Sequence, residues 1–407
     1  AKAHVTYAVS GHPYVADATA AAIIHLAESQ DVPLRVLDGI SFVEPALTAL
    51  GVTAFPAVTV VDAASLNGSY APLFSPSQPA LIAQLSSAAV AAGVKHALSV
   101  AYPDHFGVRL VHAPGSAQPL VEDLPLEAID RSPHLGPLSL LYLPALGVDA
   151  SLEFFQEVVA HLRDPRTGCP WDREQTHASL RPYLLEETYE ALEALDTGDM
   201  GKVSEELGDL LLQIVLHAQI GVEAGEFSMA DIVQGISRKI IHRHPHVFGE
   251  VQVSGVSGVL TNWERLKAEE RANNGEKEKG MLDSVPRILA ALALAQEYQE
   301  RAARVGFDWS EIGPVRAKIL EEMEEVNTAP NEAERAKELG DLLFAVVNLV
   351  RWYKVDAETT LRETSNRFRR RFEYIEKTAR QQGRNLNEMT LAEMDVFWEQ
   401  AKEKEQE

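Results

Sequence analysis

Two hydrophobic rhythms run along the 407 residues, and one replaces the other near residue 150. Before that point apolar residues come in short runs, at 5–9, 34–37, 57–61, 107–111 and 138–143. Short runs bounded by Gly, Pro, Asp and Ser predict strands. Helix-like segments at 16–29 and 79–92 lie between some of them. Strands alternating with helices predict an α/β layer fold for residues 1–148. From Ser151 onward apolar residues recur at three- and four-residue spacing, with charges on the other face. This is the pattern of amphipathic helices, predicted over 152–163, 180–195, 203–223 and 230–243. Loops are marked at 164–170 and 253–258. The stretch 271–280 is charged and nearly devoid of apolar residues, and predicts an exposed linker.

Comparing the chain with itself shows a duplication. LLEETYEAL (184–192) matches ILEEMEEVN (319–327), and EELGDLLLQIV (205–215) matches KELGDLLFAVV (337–347). ISRKIIHR (236–243) matches TSNRFRRR (364–371), and WERLK (263–267) matches WEQAK (398–402). Four matches in the same order predict two helical repeats, 151–275 and 281–407. The expected architecture is therefore multidomain, an N-terminal α/β region followed by two all-α bundle repeats.

Charge and cysteine usage narrow the function classes. The net charge of −23 comes from 37 basic and 60 acidic residues. So acidic a surface argues against broad nucleic-acid binding, which needs Lys and Arg on phosphates. It permits a small phosphorylated ligand if a bound cation inverts the local charge. No stretch approaches the ~18–20 uncharged apolar residues of a membrane helix, so no membrane partner is expected. The opening segment lacks the pattern of a signal peptide. The single cysteine, Cys169, excludes an internal disulfide and fits a reducing cytoplasm.

The repeated blocks carry candidate chemistry. Glu186, Glu187 and Glu190 lie three and four residues apart, on one helical face. Glu321, Glu322 and Glu325 repeat the pattern. The next block opens an apolar helix with Glu206 and Asp209, repeated as Glu338 and Asp341. If the two helices of a repeat pack antiparallel, up to five carboxylates converge. Hard oxygen ligands of this kind suit Mg²⁺ or Mn²⁺ together with substrate phosphates. A di-iron bundle also gathers glutamates, but none of these glutamates is followed three residues later by the histidine of its Glu-x-x-His motifs. There is no Gly-rich phosphate loop ending in Gly-Lys-Ser/Thr.

The third block offers Lys239 with Arg243, and Arg367 with Arg371, each pair four residues apart. Such pairs suit β- and γ-phosphates, or else salt bridges to an acidic surface. The fourth block pairs Trp263 with Lys267, and Trp398 with Lys402. Each tryptophan suits stacking on a base beside a lysine that meets a phosphate, or plain core packing. His242, His244 and His246 alternate around Pro245 without a metal-ligand pattern and read as structural, as does Cys169.

CPWDREQT (169–176), EETYE (186–190), EELGDLL (205–211) and HRHPHVFGE (242–250) resemble the MazG family of all-α nucleoside triphosphate pyrophosphohydrolases. VGFDW (305–309) with ELGDLLFAVVN (338–348) resembles the second repeat of that family. The resemblance implies a dimeric helical bundle that converts NTPs and dNTPs to monophosphate and pyrophosphate with Mg²⁺, as in nucleotide-pool housecleaning. It implies metal ligands Glu187, Glu190, Glu206 and Asp209, and Glu322, Glu325, Glu338 and Asp341. Glu186 and Glu321 would stand beside them as ligand or base. The triphosphate-gripping positions would be Lys239 and Arg243, and Arg367 and Arg371. The denser basic block at 367–371 points to repeat 2 as the stronger site.

Residues 1–148 resemble the C-terminal half of a tetrapyrrole methylase. Gly11-His12-Pro13 stands at that family's Gly-Asp-Pro motif, and YPDHFGVRLVHA (102–113) and LGPLSLLYLP (135–144) resemble its later strands. Lacking the Gly-rich opening half, the region is expected to have an incomplete S-adenosylmethionine cleft and a stabilising or interaction role. Two rival readings remain at this point, a methyltransferase with a regulatory helical half and a catalytically silent nucleotide-binding scaffold.

Overall fold

The computed structural model describes residues 5–9, 11–15, 17–273, 280–283 and 285–405. The chain forms two compact units, Ala1–Glu190 with Ser204–Met229, and Ala191–Val203 with Ala230–Glu407.

The first unit opens with a five-stranded mixed sheet. Its strands are β1 (Thr59–Asp62), β2 (Ala80–Ala83), β3 (Gly107–His112), β4 (Leu120–Pro125) and β5 (Ser139–Leu143), in the order β1-β2-β5-β3-β4. β1 and β2 run parallel and the remaining pairs antiparallel. Helices α1 (Ala18–Ser29), α2 (Val43–Leu50), α3 (Ala63–Leu66) and α4 (Ala88–Leu98) accompany the sheet. Val94 and Leu98 of α4 pack with Ile82, Leu110 and Leu141 on one face. Ala46 and Leu50 of α2 pack with Leu81, Val111 and Tyr142 on the other. A sheet covered on both faces needs apolar residues at successive positions, and β2 and β5 are buried throughout.

The predicted runs at 57–61, 107–111 and 138–143 correspond to β1, β3 and β5. The helix expected over 79–92 is corrected. Residues 80–83 are a central strand between β1 and β5, and α4 begins only at Ala88. An all-apolar stretch serves a buried strand as well as a buried helix, and pairing on both sides decides. Gln84, at φ +64°, turns the chain, and the Ser87 side chain accepts the Val90 N–H to start α4. The runs at 5–9 and 34–37 form no strand, and Val5 and Leu37 are exposed. β4, an edge strand with the charged pair Glu122 and Asp123, carried no apolar run to betray it.

The helical part follows, with α5 (Leu152–Leu162), α6 (Pro170–Glu174), α7 (Arg181–Thr197), α8 (Met200–Ala224) and α9 (Met229–Arg243). It continues with α10 (Pro245–Phe248), α11 (Gly255–Asn273), α12 (Ala291–Arg304), α13 (Ile312–Thr328), α14 (Glu332–Trp352), α15 (Ala357–Gln381) and α16 (Leu391–Lys404). α7 ends where Gly198 takes φ +71°, a backbone state that side chains resist. Asp199 then accepts the N–H groups of Gly201 and Lys202 and starts α8. Asn331 caps α14 in the same way through Glu334 N–H. The loop expected over 253–258 is shorter than that, because α11 begins at Gly255. α11 also takes the first three residues of the expected linker, and 274–279 lie outside the described residues. By length and mean apolarity α8 could cross a membrane, but Lys202, Glu205, Glu206, Asp209 and Glu223 interrupt it, so it is not the uncharged stretch of ~18–20 residues that a membrane helix needs. Its first turns carry Glu205, Glu206 and Asp209, and it buries Gln213, Val215, Leu216 and Ala218 against the protein.

Candidate active site

In repeat 1, the acidic edge of α7 meets the N-terminal turns of α8. Oxygens of Glu187, Glu190 and Glu206 lie within 4.8 Å of one another. In repeat 2, α13 and α14 bring Glu322, Glu325 and Glu338 together equally closely. Each set draws two carboxylates from one helix and one from the next, as antiparallel packing predicts. Glu186, Asp209, Glu321 and Asp341 stand outside these tight triads. Asp209 is nonetheless the strongest charge acting on Glu187. Desolvation, and then Asp209, Glu190, Glu186 and Glu206, push the Glu187 carboxyl above its ordinary range. Desolvation, Glu322 and Glu338 do the same to Glu325. Carboxylates held this close repel unless protons or cations intervene.

The two sites handle that repulsion differently. The Lys318 ammonium lies 2.8 Å from both Glu321 and Glu322. Those two carboxylates hold its pKa well above the usual lysine range. Glu322 is 5% exposed, and its Oε2 has no hydrogen-bond partner among the described residues. A buried, half-satisfied carboxylate is costly unless a cation sits beside it. The donor set and this orphaned oxygen fit a hard divalent cation. Sequence reasoning missed Lys318. Its signal was one turn away, since Lys318 precedes Glu322 by four residues on one helix. The matching position in repeat 1 is Tyr183.

Within each repeat the basic and tryptophan blocks also come together. Arg243 donates from Nε and Nη2 to Glu270 Oε2, at 3.1 and 2.5 Å, and lies over the Trp263 ring at 5.4 Å. Arg371 pairs with Glu405, at 2.9 and 2.6 Å, and lies over Trp398 at 5.4 Å. These arginines hold Glu270 and Glu405 below the ordinary carboxylate range. The salt-bridge alternative thus describes Arg243 and Arg371. Lys239 and Arg367 are exposed. Trp398 also packs on Phe368 and the Ile375–Phe397 core, and Trp263 meets His244 edge-on at 4.8 Å. Lys402 reaches Glu399 at 2.5 Å, and Lys267 lies one turn beyond Trp263. Glu270 and Glu405 were not singled out from the sequence, although each stands seven residues after its tryptophan.

The CPWDREQT segment is held from beneath. Arg163, buried at the end of α5, donates to Glu223 of α8 at 2.9 and 2.7 Å, and to the carbonyls of Asp172 and Gln175. His177 meets His217 of α8 with their Nδ1 atoms 2.7 Å apart. These contacts fix the loop that precedes the acidic helix.

Residues 175–248 match the family described as the MazG nucleotide pyrophosphohydrolase domain. A nucleoside triphosphate pyrophosphohydrolase of Escherichia coli is 44% identical over 61% of this chain and 95% of its own length. The chain belongs to the MazG family. A second MazG relative, the nucleoside triphosphate pyrophosphohydrolase/pyrophosphatase MazG of Thermotoga maritima, is 43% identical over 61% of this chain and 95% of its own. The Bacillus subtilis protein YabN is 41% identical over 98% of this chain and 82% of its own, so that likeness includes the α/β region. As a MazG chain the protein is an enzyme of the nucleotide pyrophosphohydrolase class. MazG enzymes are generally metal-dependent, and among the described residues the two carboxylate triads are acidic clusters of the kind that could hold an ion.

Proposed function

We propose that the protein hydrolyses nucleoside triphosphates between the α- and β-phosphates, giving a nucleoside monophosphate and pyrophosphate, with Mg²⁺ or Mn²⁺ bound at the carboxylate triads. The observation that carries this reading is the triad itself, which two separately encoded helix pairs build alike. Glu187, Glu190 and Glu206 would hold the cation in repeat 1, with Asp209 beside them. Glu322, Glu325 and Glu338 would do so in repeat 2, with Asp341 beside them. Bound there, a divalent cation supplies Lewis acidity at the α-phosphate and charge for the rest of the chain of phosphates.

The protein's own groups do the rest. Glu186, exposed on the same face of α7 as Glu190, accepts the proton of the attacking water, and Glu321 is its counterpart. The water oxygen bonds to the α-phosphorus and the bridging oxygen leaves with pyrophosphate. Lys239, Arg243 and Lys267, and Arg367, Arg371 and Lys402, neutralise the leaving group. For Arg243 and Arg371 this means exchanging Glu270 and Glu405 for phosphate, with Trp263 and Trp398 supporting each guanidinium from behind. Substrate breadth across NTPs and dNTPs, a housecleaning role and a homodimer belong to the same proposal, as does a stabilising or interaction role for the α/β region.

The test is pyrophosphate release from a panel of NTPs and dNTPs with Mg²⁺, for wild type, Glu190→Ala, Glu325→Ala and the double variant. The double variant should fall at least about 100-fold, a loss near 3 kcal/mol of transition-state stabilisation. The single variants show which repeat turns over. A double variant as active as wild type would remove the triads from the chemistry.

A further inference from the structure

We infer that Trp171 and Tyr183 form the nucleobase platform of the first site. This deepens the reading above and rests on it. Trp171, on α6, and Tyr183, in the first turn of α7, meet with ring centroids 5.5 Å apart and planes at 79°. Two rings at that angle make a corner, and both stay open to solvent, Trp171 at 48% and Tyr183 at 36%.

The position of the corner is fixed by two observations. Tyr183 precedes Glu187 by four residues on α7, so its ring and that carboxylate share a helical face. The internal duplication then shows what a side chain there can reach. Tyr183 matches Lys318, whose ammonium contacts Glu321 and Glu322 at 2.8 Å. A side chain at this register therefore lies on the helical face that carries the carboxylates. Repeat 2 fills the place with a charge on its own glutamates, whereas repeat 1 fills it with an aromatic ring joined to a second.

The corner is also rigid. Pro170 stands at the start of α6, and the Trp171 carbonyl accepts Gln175 Nε2 at 2.9 Å. Buried Arg163 holds the Asp172 and Gln175 carbonyls from below. Ordering an exposed aromatic without packing it away prepares a stacking surface at little further entropic cost. Trp263, the expected base-stacking residue of repeat 1, already has its ring committed to Arg243 and His244. A planar heterocycle linked to phosphates is the ligand class that satisfies an aromatic corner beside a hard-cation site. Stacking tolerates every base, because each has a π-face.

The inference separates recognition of the base from recognition of the phosphates, and the test does the same. Binding is measured calorimetrically on the full chain carrying Glu325→Ala, so that repeat 1 is observed. The probes are α,β-methylene ATP, which resists cleavage at the scissile bond, and inorganic tripolyphosphate, each with Mg²⁺. Trp171→Ala should weaken the nucleotide about tenfold, within the range of one base–aromatic stack, and leave tripolyphosphate affinity unchanged. Trp171→Phe should retain most of the nucleotide affinity, which controls for folding. Equal weakening of both probes, or no weakening of either, would overturn the platform. If Glu190→Ala in the same background leaves tripolyphosphate binding intact, the triad reading itself fails, and the platform with it.

Discussion

Glu187 is where folding and cation binding oppose each other most directly. Burial and four neighbouring carboxylates raise its pKa above the ordinary 4.5. A carboxyl whose folded pKa is raised favours the fold while protonated and withdraws that contribution as pH rises through the raised value. At neutral pH the cation-free site is therefore under repulsive load. In the Glu325→Ala background, where the second triad is broken, Glu187→Gln is expected to raise the melting temperature in chelator at pH 7 and to abolish the rise that Mg²⁺ produces in that background alone. Scanning calorimetry with and without Mg²⁺ measures both. A Mg²⁺-induced rise that survives the substitution would take Glu187 out of the ligand set. Lys318 shows the other solution, an ammonium already inside the acidic set. At this scale the sequence located the carboxylates but not their partners. Helical spacing reveals who shares a face, whereas Glu270 and Glu405 meet their arginines only because two helices cross.

The elements that carry the basic and tryptophan blocks depend on their ends. α16, which holds Trp398 and Lys402, opens with a complete capping box between Thr390 and Glu393. The Thr390 N–H, and then Arg384, bring the Glu393 pKa down to about 2. A depressed carboxyl stabilises above its unfolded pKa, near 4.5, and that contribution disappears as pH falls towards 2. Thr390→Ala should cost about 1 kcal/mol in urea unfolding. Amide exchange should accelerate in Leu391–Lys404 and stay unchanged in α7 and α8. Uniform acceleration across both units would mean that the cap supports more than its own helix. The helices were read from apolar spacing, whereas their caps, Thr390 with Glu393 and Asn331 with Glu334, are identified by the hydrogen bonds that close them. The segment 79–92 was not legible as a strand, because an unbroken apolar run has no period that separates strand from helix.

Across the whole molecule, the duplication explains why similar exposed faces occur twice. Leu207, Leu211 and Ile214 on α8 are exposed, and so are the matching Leu339, Leu343 and Val346 on α14. Apolar side chains recurring along a helix at this spacing and left open to water suit an interface with another chain. The proposed homodimer supplies the cover. Light scattering should give twice the chain mass for wild type, and Leu211→Glu combined with Leu343→Glu should lower it to one chain. A wild-type monomer at micromolar concentration would refute the dimer. The strong acidity, −23 overall, is consistent with carboxylates serving as ligands at two places and as a solvated surface elsewhere.

The sequence by itself determined the change from α/β to helical near residue 150, the duplicated blocks and the identity of the clustered carboxylates. Each of these is a matter of local period or of direct repetition, which a one-dimensional string records in full. Tertiary structure alone decided that 80–83 is a central strand, that Lys318 lies within the second acidic set, and that Arg243 and Arg371 each hold a glutamate from another helix. It also left Trp171 and Tyr183 open as a corner. These outcomes depend on which elements face each other, and pairing between distant segments is set by burial and charge in three dimensions rather than by spacing along the chain.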